Sequence, residues 1–161
     1  KDDSFWYVMF PIKYIIPIIF VIIGIIIISI PFNSGCEGEA QCITGKVTKV
    51  IDGDTIKVDG QSIRFALSST PELNTEKGVL AKEYVEKICP IGSTVLVDED
   101  DMQTEGSYGR MIGLIKCNDK ILNESILESG YGKISTRYCK TSEFSDSDWA
   151  KRYGCWFRIS F

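Results

Sequence analysis

The chain has 161 residues, enough for one domain with a core, and its net charge of −4 lacks the basic excess of a nonspecific nucleic-acid binder. It contains no histidine. That excludes Ser-His-Asp hydrolysis, Cys-His nucleophiles, paired-histidine ribonuclease chemistry and histidine-ligated metals, and leaves carboxylates, arginines, tyrosines and hard cations.

Residues 1–13 read as a short flank. From Tyr14 to Phe32 the sequence YIIPIIFVIIGIIIISIPF carries no charge over nineteen residues. At about 1.5 Å per residue this approaches the roughly 30 Å of a bilayer core, so a transmembrane helix or signal anchor is predicted over 14–32. A domain this small cannot surround such a helix on every side. The run is longer than a usual signal core and no A-x-A-like site follows it, which favours retention; cleavage would give a secreted protein instead. Lys1 and Lys13 on one side balance Lys46 and Lys49 on the other, so the positive-inside comparison is a tie. The cysteines decide the orientation. All six (Cys36, Cys42, Cys89, Cys117, Cys139, Cys155) follow the apolar run and none forms a CxxC pair. That pattern fits disulfides in an extracytoplasmic domain better than a zinc site built from four scattered thiolates. Cys139 with Cys155, which bracket one short segment, and Cys36 with Cys42 are the candidate pairs.

Residues 33–43 read as a linker and 44–157 as the folded domain. Apolar residues alternate through GKVTKVIDGDTIKVDGQSIRFAL, predicting antiparallel strands at 44–51, 54–59 and 62–68, the second hairpin turning at Asp59-Gly60. Leu80, Ala81, Tyr84, Val85 and Ile88 then recur at helical spacing, with Thr75 as N-cap and Pro90 beyond the end. Strands at 93–97 and 108–117 follow; the second is apolar on both faces and belongs in the middle of a sheet. ILNESILES before Gly130 and SEFSDSDWAKRY before Gly154 predict two further helices. Five strands with a helix inserted after the third indicate an α+β domain, a five-stranded Greek-key barrel of the OB type with about three helices.

Three stretches carry candidate chemistry. Asp52-Gly53-Asp54 is either a hairpin turn stocked with turn residues or a device that points the Asp54 carboxylate into the barrel mouth as a cation ligand. IRFALSSTPE places Arg64 within an apolar strand and Glu72 just past a proline. GSYGR places Arg110 at the start of a central strand. Two guanidiniums, a glutamate and an aspartate at strand ends are the set that phosphoryl transfer needs: clamps on phosphate oxygens, a hard cation, and a carboxylate to orient or deprotonate water.

VIDGDTIKV, IRFAL followed by TPE, AKEYVEKI, YGRMIGLI, LNESILESGYGK and the closing GCW together resemble the staphylococcal nuclease-like (thermonuclease-like) family over about residues 44–157. The resemblance implies an OB-fold nuclease that hydrolyses DNA and/or RNA with Ca2+ and cuts the P–O5′ bond. It implies that Asp54 and the Thr70 carbonyl are calcium ligands. Arg64 and Arg110 would grip the scissile phosphate, Glu72 would activate water, and Tyr108 would lie beside the nucleotide. The family's second ligand aspartate is here Ser69, which offers a hydroxyl oxygen but no charge, so calcium binding is expected to weaken on the order of 10–100-fold. Thr136 replaces a nucleotide-stacking tyrosine and Ser107 a basic residue. Two readings follow: a membrane-anchored, extracytoplasmic, calcium-dependent nuclease, or a weakened OB module that binds nucleic acid or a protein without cutting. No protein partner is inferred.

Overall fold

Alternating apolar residues give the first three strands one buried face, and pairing them leaves two edges to close. The chain divides into two units, Lys1–Ser34 and Gly35–Phe161. The computed structural model describes residues 35–156. The strands are β1 (Cys42–Asp52), β2 (Thr55–Val58), β3 (Gln61–Phe65), β4 (Ser68–Ser69), β5 (Thr94–Glu99), β6 (Met111–Cys117), β7 (Lys120–Ile121) and β8 (Lys133–Ile134). The α-helices are α1 (Glu76–Ile88), α2 (Leu122–Glu128) and α3 (Asp148–Tyr153). Two single-turn 3-10 helices span Thr136–Tyr138 and Glu143–Asp146.

β1 serves two partners: Cys42–Lys46 pair with β5, and the stretch from Val47 to Asp52 pairs with β2 through register shifts that bend the strand. β2 pairs antiparallel with β3, β5 antiparallel with β6, and the parallel pairing of β3 with β6 closes the five-stranded barrel. Val47, Val50, Ile56, Ile63, Phe65, Val95, Val97 and Ile115 fill its interior, with Ala81 and Val85 of α1 and Leu122 and Ile126 of α2 packed onto them. The β2–β3 turn sits where expected, because Asp59 (φ 45°) and Gly60 (φ 92°) tolerate the left-handed conformation a two-residue hairpin demands. Thr75 caps α1 by accepting the Gly78 amide at 3.1 Å.

The strand expected at 62–68 is shorter. Pairing with β2 stops at Phe65, Leu67 takes φ 59°, and Ser68–Ser69 form a separate two-stranded ladder with Lys133–Ile134. The buried side chain of Asn123 holds this bend. Its Nδ2 donates to the carbonyls of Ala66 (2.9 Å) and Gly113 (3.0 Å), and its Oδ1 accepts the Ile115 amide (2.9 Å). The Ser68 hydroxyl donates to the Asn123 carbonyl at 2.8 Å. The strand expected at 108–117 starts at Met111, because Tyr108 (φ 52°) and Gly109 (φ 73°) form a tight turn that bridges Ser107 to Arg110. The last expected helix divides into the 3-10 turn at Glu143–Asp146 and α3, which Gly154 ends at φ 124°.

Disulfides join Cys36 to Cys42, Cys139 to Cys155 and Cys89 to Cys117. The first two are the pairs suggested by spacing. The third links the end of α1 to the end of β6. Within the expected linker, residues 37–41 are fastened to the barrel by their amides: Glu37 donates to Asp98, Glu39 and Ala40 to Asp101, and Gln41 to Glu99. Asp100 accepts the Glu143 amide at 3.2 Å, while Glu143 accepts the Asp101 amide at 2.9 Å. Burial, together with the charges of Asp101, Asp100 and Asp98, raises the Glu143 pKa from its ordinary 4.5 to about 7 against the opposing hydrogen bond from Asp101. No helix among the described residues is long and apolar enough to cross a membrane, and the span expected at 14–32 lies outside those residues.

Two outcomes are expected. Asn123→Ala strands two buried carbonyls and one amide and lowers the unfolding free energy by about 3 kcal/mol in urea titrations. Folded protein holds the Glu143 proton more tightly than unfolded chain does, so stability from this group declines as pH rises from about 4.5 through about 7. Glu143→Gln, which keeps an acceptor for the Asp101 amide, should flatten that decline and raise the melting temperature above pH 7.

Candidate active site

Where Ile63 and Phe65 point into the barrel, the residue between them points out of it. Arg64 therefore faces a cavity of about 560 Å³ at one end of the barrel. The parallel pairing of β3 with β6 sets Arg64 opposite Ile112, two residues after Arg110, and all three line this cavity. The β1–β2 turn supplies Asp52 and Asp54, the segment after β3 supplies Ser69, Thr70 and Glu72, and the β5–β6 loop supplies Gln103, Ser107 and Tyr108. The structure thus gathers Asp54, Arg64, Ser69, Thr70, Glu72, Tyr108 and Arg110 around one space.

Asp54 is the hub. Only 6% exposed, its Oδ1 lies 2.6 Å from Arg64 Nη1 and accepts the Thr55 hydroxyl at 3.1 Å. Its Oδ2 accepts both the amide (2.6 Å) and the hydroxyl (3.0 Å) of Thr70. Asp52 accepts the Asp54 amide at 3.0 Å, which fixes the turn between the strands. Burial pushes the Asp54 pKa up, the Arg64 guanidinium opposes this, and neighbouring Asp52 adds to the rise; the net shift is upward.

Arg64 spends only Nη1 on Asp54, donating also to the Asp54 carbonyl at 3.0 Å; Nε and Nη2 make no hydrogen bond among the described residues. Arg110 donates from Nε to the Ser107 carbonyl (3.0 Å) and from Nη2 to the Ser107 hydroxyl (3.4 Å), and no carboxylate among the described residues pairs with it. Its Cζ lies 5.8 Å from the ring centre of Tyr108, whose side chain stands in solvent. The Glu72 carboxylate is exposed and has no hydrogen-bond partner among the described residues.

Two glycines let these segments meet. A Cβ on Gly53 would lie 2.5 Å from the Ala81 Cβ and 2.8 Å from Thr70 Cγ2, so the turn bearing Asp54 approaches both α1 and Thr70 closely. A Cβ on Gly78 would lie 2.1 Å from the Glu72 carbonyl and 2.7 Å from that of Pro71. Glu72 is held against the first turn of α1 because that turn carries no side chain there. Asp52 and Arg137 also line the cavity, and sequence reading assigned neither a role. Asp52 carried a usable signal, since it sits two residues before Asp54 in the same turn. Arg137 carried a weak one, its place beside Thr136, where the family resemblance expects a nucleotide-stacking tyrosine; its position over the cavity depends on the two-residue β4–β8 ladder.

No protein-family model matches the chain. An uncharacterized protein of Bacillus anthracis is 33% identical over 105 residues, which cover 59% of this chain and 49% of that protein. An uncharacterized protein of Methanocaldococcus jannaschii is 27% identical over 132 residues, covering 63% of this chain and 62% of that one. The chain thus spans about half the length of the first relative and under two thirds of the second. A thermonuclease of Staphylococcus hyicus is 29% identical over 132 residues, covering 72% of this chain and 78% of the relative. That similarity and the five-stranded barrel with three α-helices fit an OB fold of the staphylococcal nuclease-like kind.

Gly78→Ala reports on the contact that seats Glu72. In an open helix the exchange would stabilise by about 0.8–1 kcal/mol, whereas a clash with fixed backbone destabilises by about 1–3 kcal/mol. A lowered denaturation midpoint is expected.

Proposed function

We propose that the protein is a phosphodiesterase that hydrolyses DNA and/or RNA with calcium, cutting the P–O5′ bond. The observation that carries this reading is the convergence of two guanidiniums with free donors, Arg64 and Arg110, and an unpartnered carboxylate, Glu72, on one cavity. A phosphodiester lodged there presents oxygens to Arg64 Nε and Nη2 and to the guanidinium of Arg110. Charge on those oxygens grows as water adds to phosphorus, so donors already in place favour the five-coordinate state over the bound substrate. Glu72 orients the incoming water and takes its proton; as the new P–O bond forms the P–O5′ bond breaks, the 5′ oxygen takes a proton from solvent and leaves as a hydroxyl, and a 3′ phosphate remains. Tyr108, on the exposed Ser107–Arg110 turn, lies against the nucleotide. Asp54 fixes Arg64 through Nη1 and so sets the direction of its remaining donors.

The oxygens that Asp54, Ser69 and Thr70 offer at this cavity are of the kind that suits a hard cation, and the Asp54 carboxylate is buried. Asp54, the Ser69 hydroxyl and the Thr70 carbonyl would hold calcium, which would supply charge neutralisation at the phosphate. No group of three His, Cys, Asp or Glu that could hold a metal ion occurs among the described residues. With a single carboxylate among these oxygens, calcium would be held weakly. Three disulfides among the described residues support an extracytoplasmic domain, to which the apolar run at 14–32 serves as anchor.

One observation favours a second reading. Both oxygens of Asp54 already have protein partners, as they would in an OB module that binds nucleic acid without cutting it. Cleavage of single-stranded DNA separates the two. The expected result is hydrolysis in millimolar calcium, its loss on chelation, and a fall of about 10²–10³ in kcat for Arg64→Ala or Arg110→Ala. Inactivity of the folded wild type in millimolar calcium would leave only the binding module.

A further inference from the structure

The cavity has a third cation. Arg137 lies in the 3-10 turn Thr136–Tyr138, is exposed, and has no carboxylate partner among the described residues. Its Cζ sits 4.7 Å from the ring centre of Tyr138, an aromatic platform that orders the guanidinium without cancelling its charge. The backbone beneath it is fixed from both sides. Ser135 donates to the Leu67 carbonyl at 2.7 Å, just after the β4–β8 ladder, and Cys139 is bonded to Cys155 two residues beyond Arg137. A long side chain on a pinned turn, stacked on a ring and facing a cavity, differs from an ordinary surface arginine.

Charge balance gives it a purpose. The cavity wall carries Asp52, Asp54 and Glu72 against Arg64, Arg110 and Arg137, so without Arg137 the site is net negative on a chain already at −4. A polyanion entering this space gains from each cation that offsets the wall. Arg64 lies on β3 and Arg110 just before its neighbour β6, whereas Arg137 comes from a different loop, tied to the segment after β3 by the β4–β8 ladder and the Ser135–Leu67 hydrogen bond.

We propose that Arg137 binds a second phosphate of the same strand, beside the one held by Arg64 and Arg110. The substrate is then a single-stranded polynucleotide with at least two consecutive phosphates, in preference to an isolated phosphodiester. This rests on the nucleic-acid reading above and adds a specificity determinant to it.

The test measures anisotropy of a fluorescent single-stranded oligonucleotide on wild type, Arg137→Ala and Arg137→Lys over a salt series with chelator present. Turnover of that oligonucleotide and of bis(p-nitrophenyl) phosphate, which has one phosphate, is measured in parallel with calcium. For Arg137→Ala, affinity for the oligonucleotide should fall about tenfold, and the slope of log K against log salt should shrink by about 0.7, the single-strand value for one phosphate contact. KM for the oligonucleotide should rise with kcat unchanged, turnover of the one-phosphate ester should not change, and Arg137→Lys should keep the wild-type slope. An unchanged slope in Arg137→Ala, or equal loss on both substrates, overturns the proposal while cleavage by wild type still stands. A slope that depends on Arg137 in a protein that binds but does not cut supports it and removes the nuclease reading instead. Wild type that fails to bind the oligonucleotide overturns both.

Discussion

Parallel pairing of β3 with β6 is the constraint from which the site follows. The other barrel contacts are all antiparallel: β1–β2 and β2–β3 are hairpins that turns and local alternation can set, while β1–β5 and β5–β6 join more distant segments. The β3–β6 pairing joins strands separated by α1 and β5, and its register decides which residues share a face. With Ile63 opposite Met111 and Phe65 opposite Gly113, Arg64 falls beside Ile112 on the outward side. A slip of one residue would turn Arg64 into the core, where an unpaired guanidinium cannot stay. Asn123 reinforces the register where β3 ends, because its amide bridges Ala66 on one side of the seam and Gly113 and Ile115 on the other. The interaction that ends β3 is also one that completes the barrel.

The electrostatics of the cavity follow from what that closure buries. Asp54 is taken out of water at the end of a tight turn and answered by Thr55, Thr70 and one nitrogen of Arg64. Hydrogen bonds and one ion pair do not fully offset the burial and the neighbouring charge of Asp52, so the carboxylate keeps a raised proton affinity. A second group of carboxylates, Asp98 to Asp101 with Glu143, is handled differently. Backbone amides from residues 37–41 and from the Glu143 turn provide the donors, and negative charge is used to fasten chain segments together. One acidic group faces a cavity bearing arginines; the other is spent on the fold.

The parts of the fold legible in the sequence were those determined within a few residues. Alternation from Val47 to Phe65, the Asp59-Gly60 turn, the Thr75 cap and the Gly154 stop are local devices, and each appears at its expected place. The parts that were not legible depend on distant residues. Leu67 gives no sign in its neighbours that it will adopt a left-handed conformation, because the partners that hold the bend come from α2. Cys89 and Cys117 lie 28 residues apart, a spacing that says nothing until α1 is laid on the barrel. The same limit applied to the site. Arg64, Glu72 and Arg110 stand out because charge interrupts apolar strands or follows proline, but Arg137 stands in a polar stretch and is placed by a two-residue ladder.

Ser69 occupies an unusual position among the cavity residues. Its backbone is committed to the ladder with Lys133, while its hydroxyl has no hydrogen bond among the described residues. Main chain and side chain are therefore decoupled here: the first belongs to the architecture and the second to the cavity. A change of charge at this position alters the electrostatic field inside the barrel mouth without requiring any strand to move. In a lineage built on this barrel, the charge of the cavity can pass through many settings at this position while the fold stays constant.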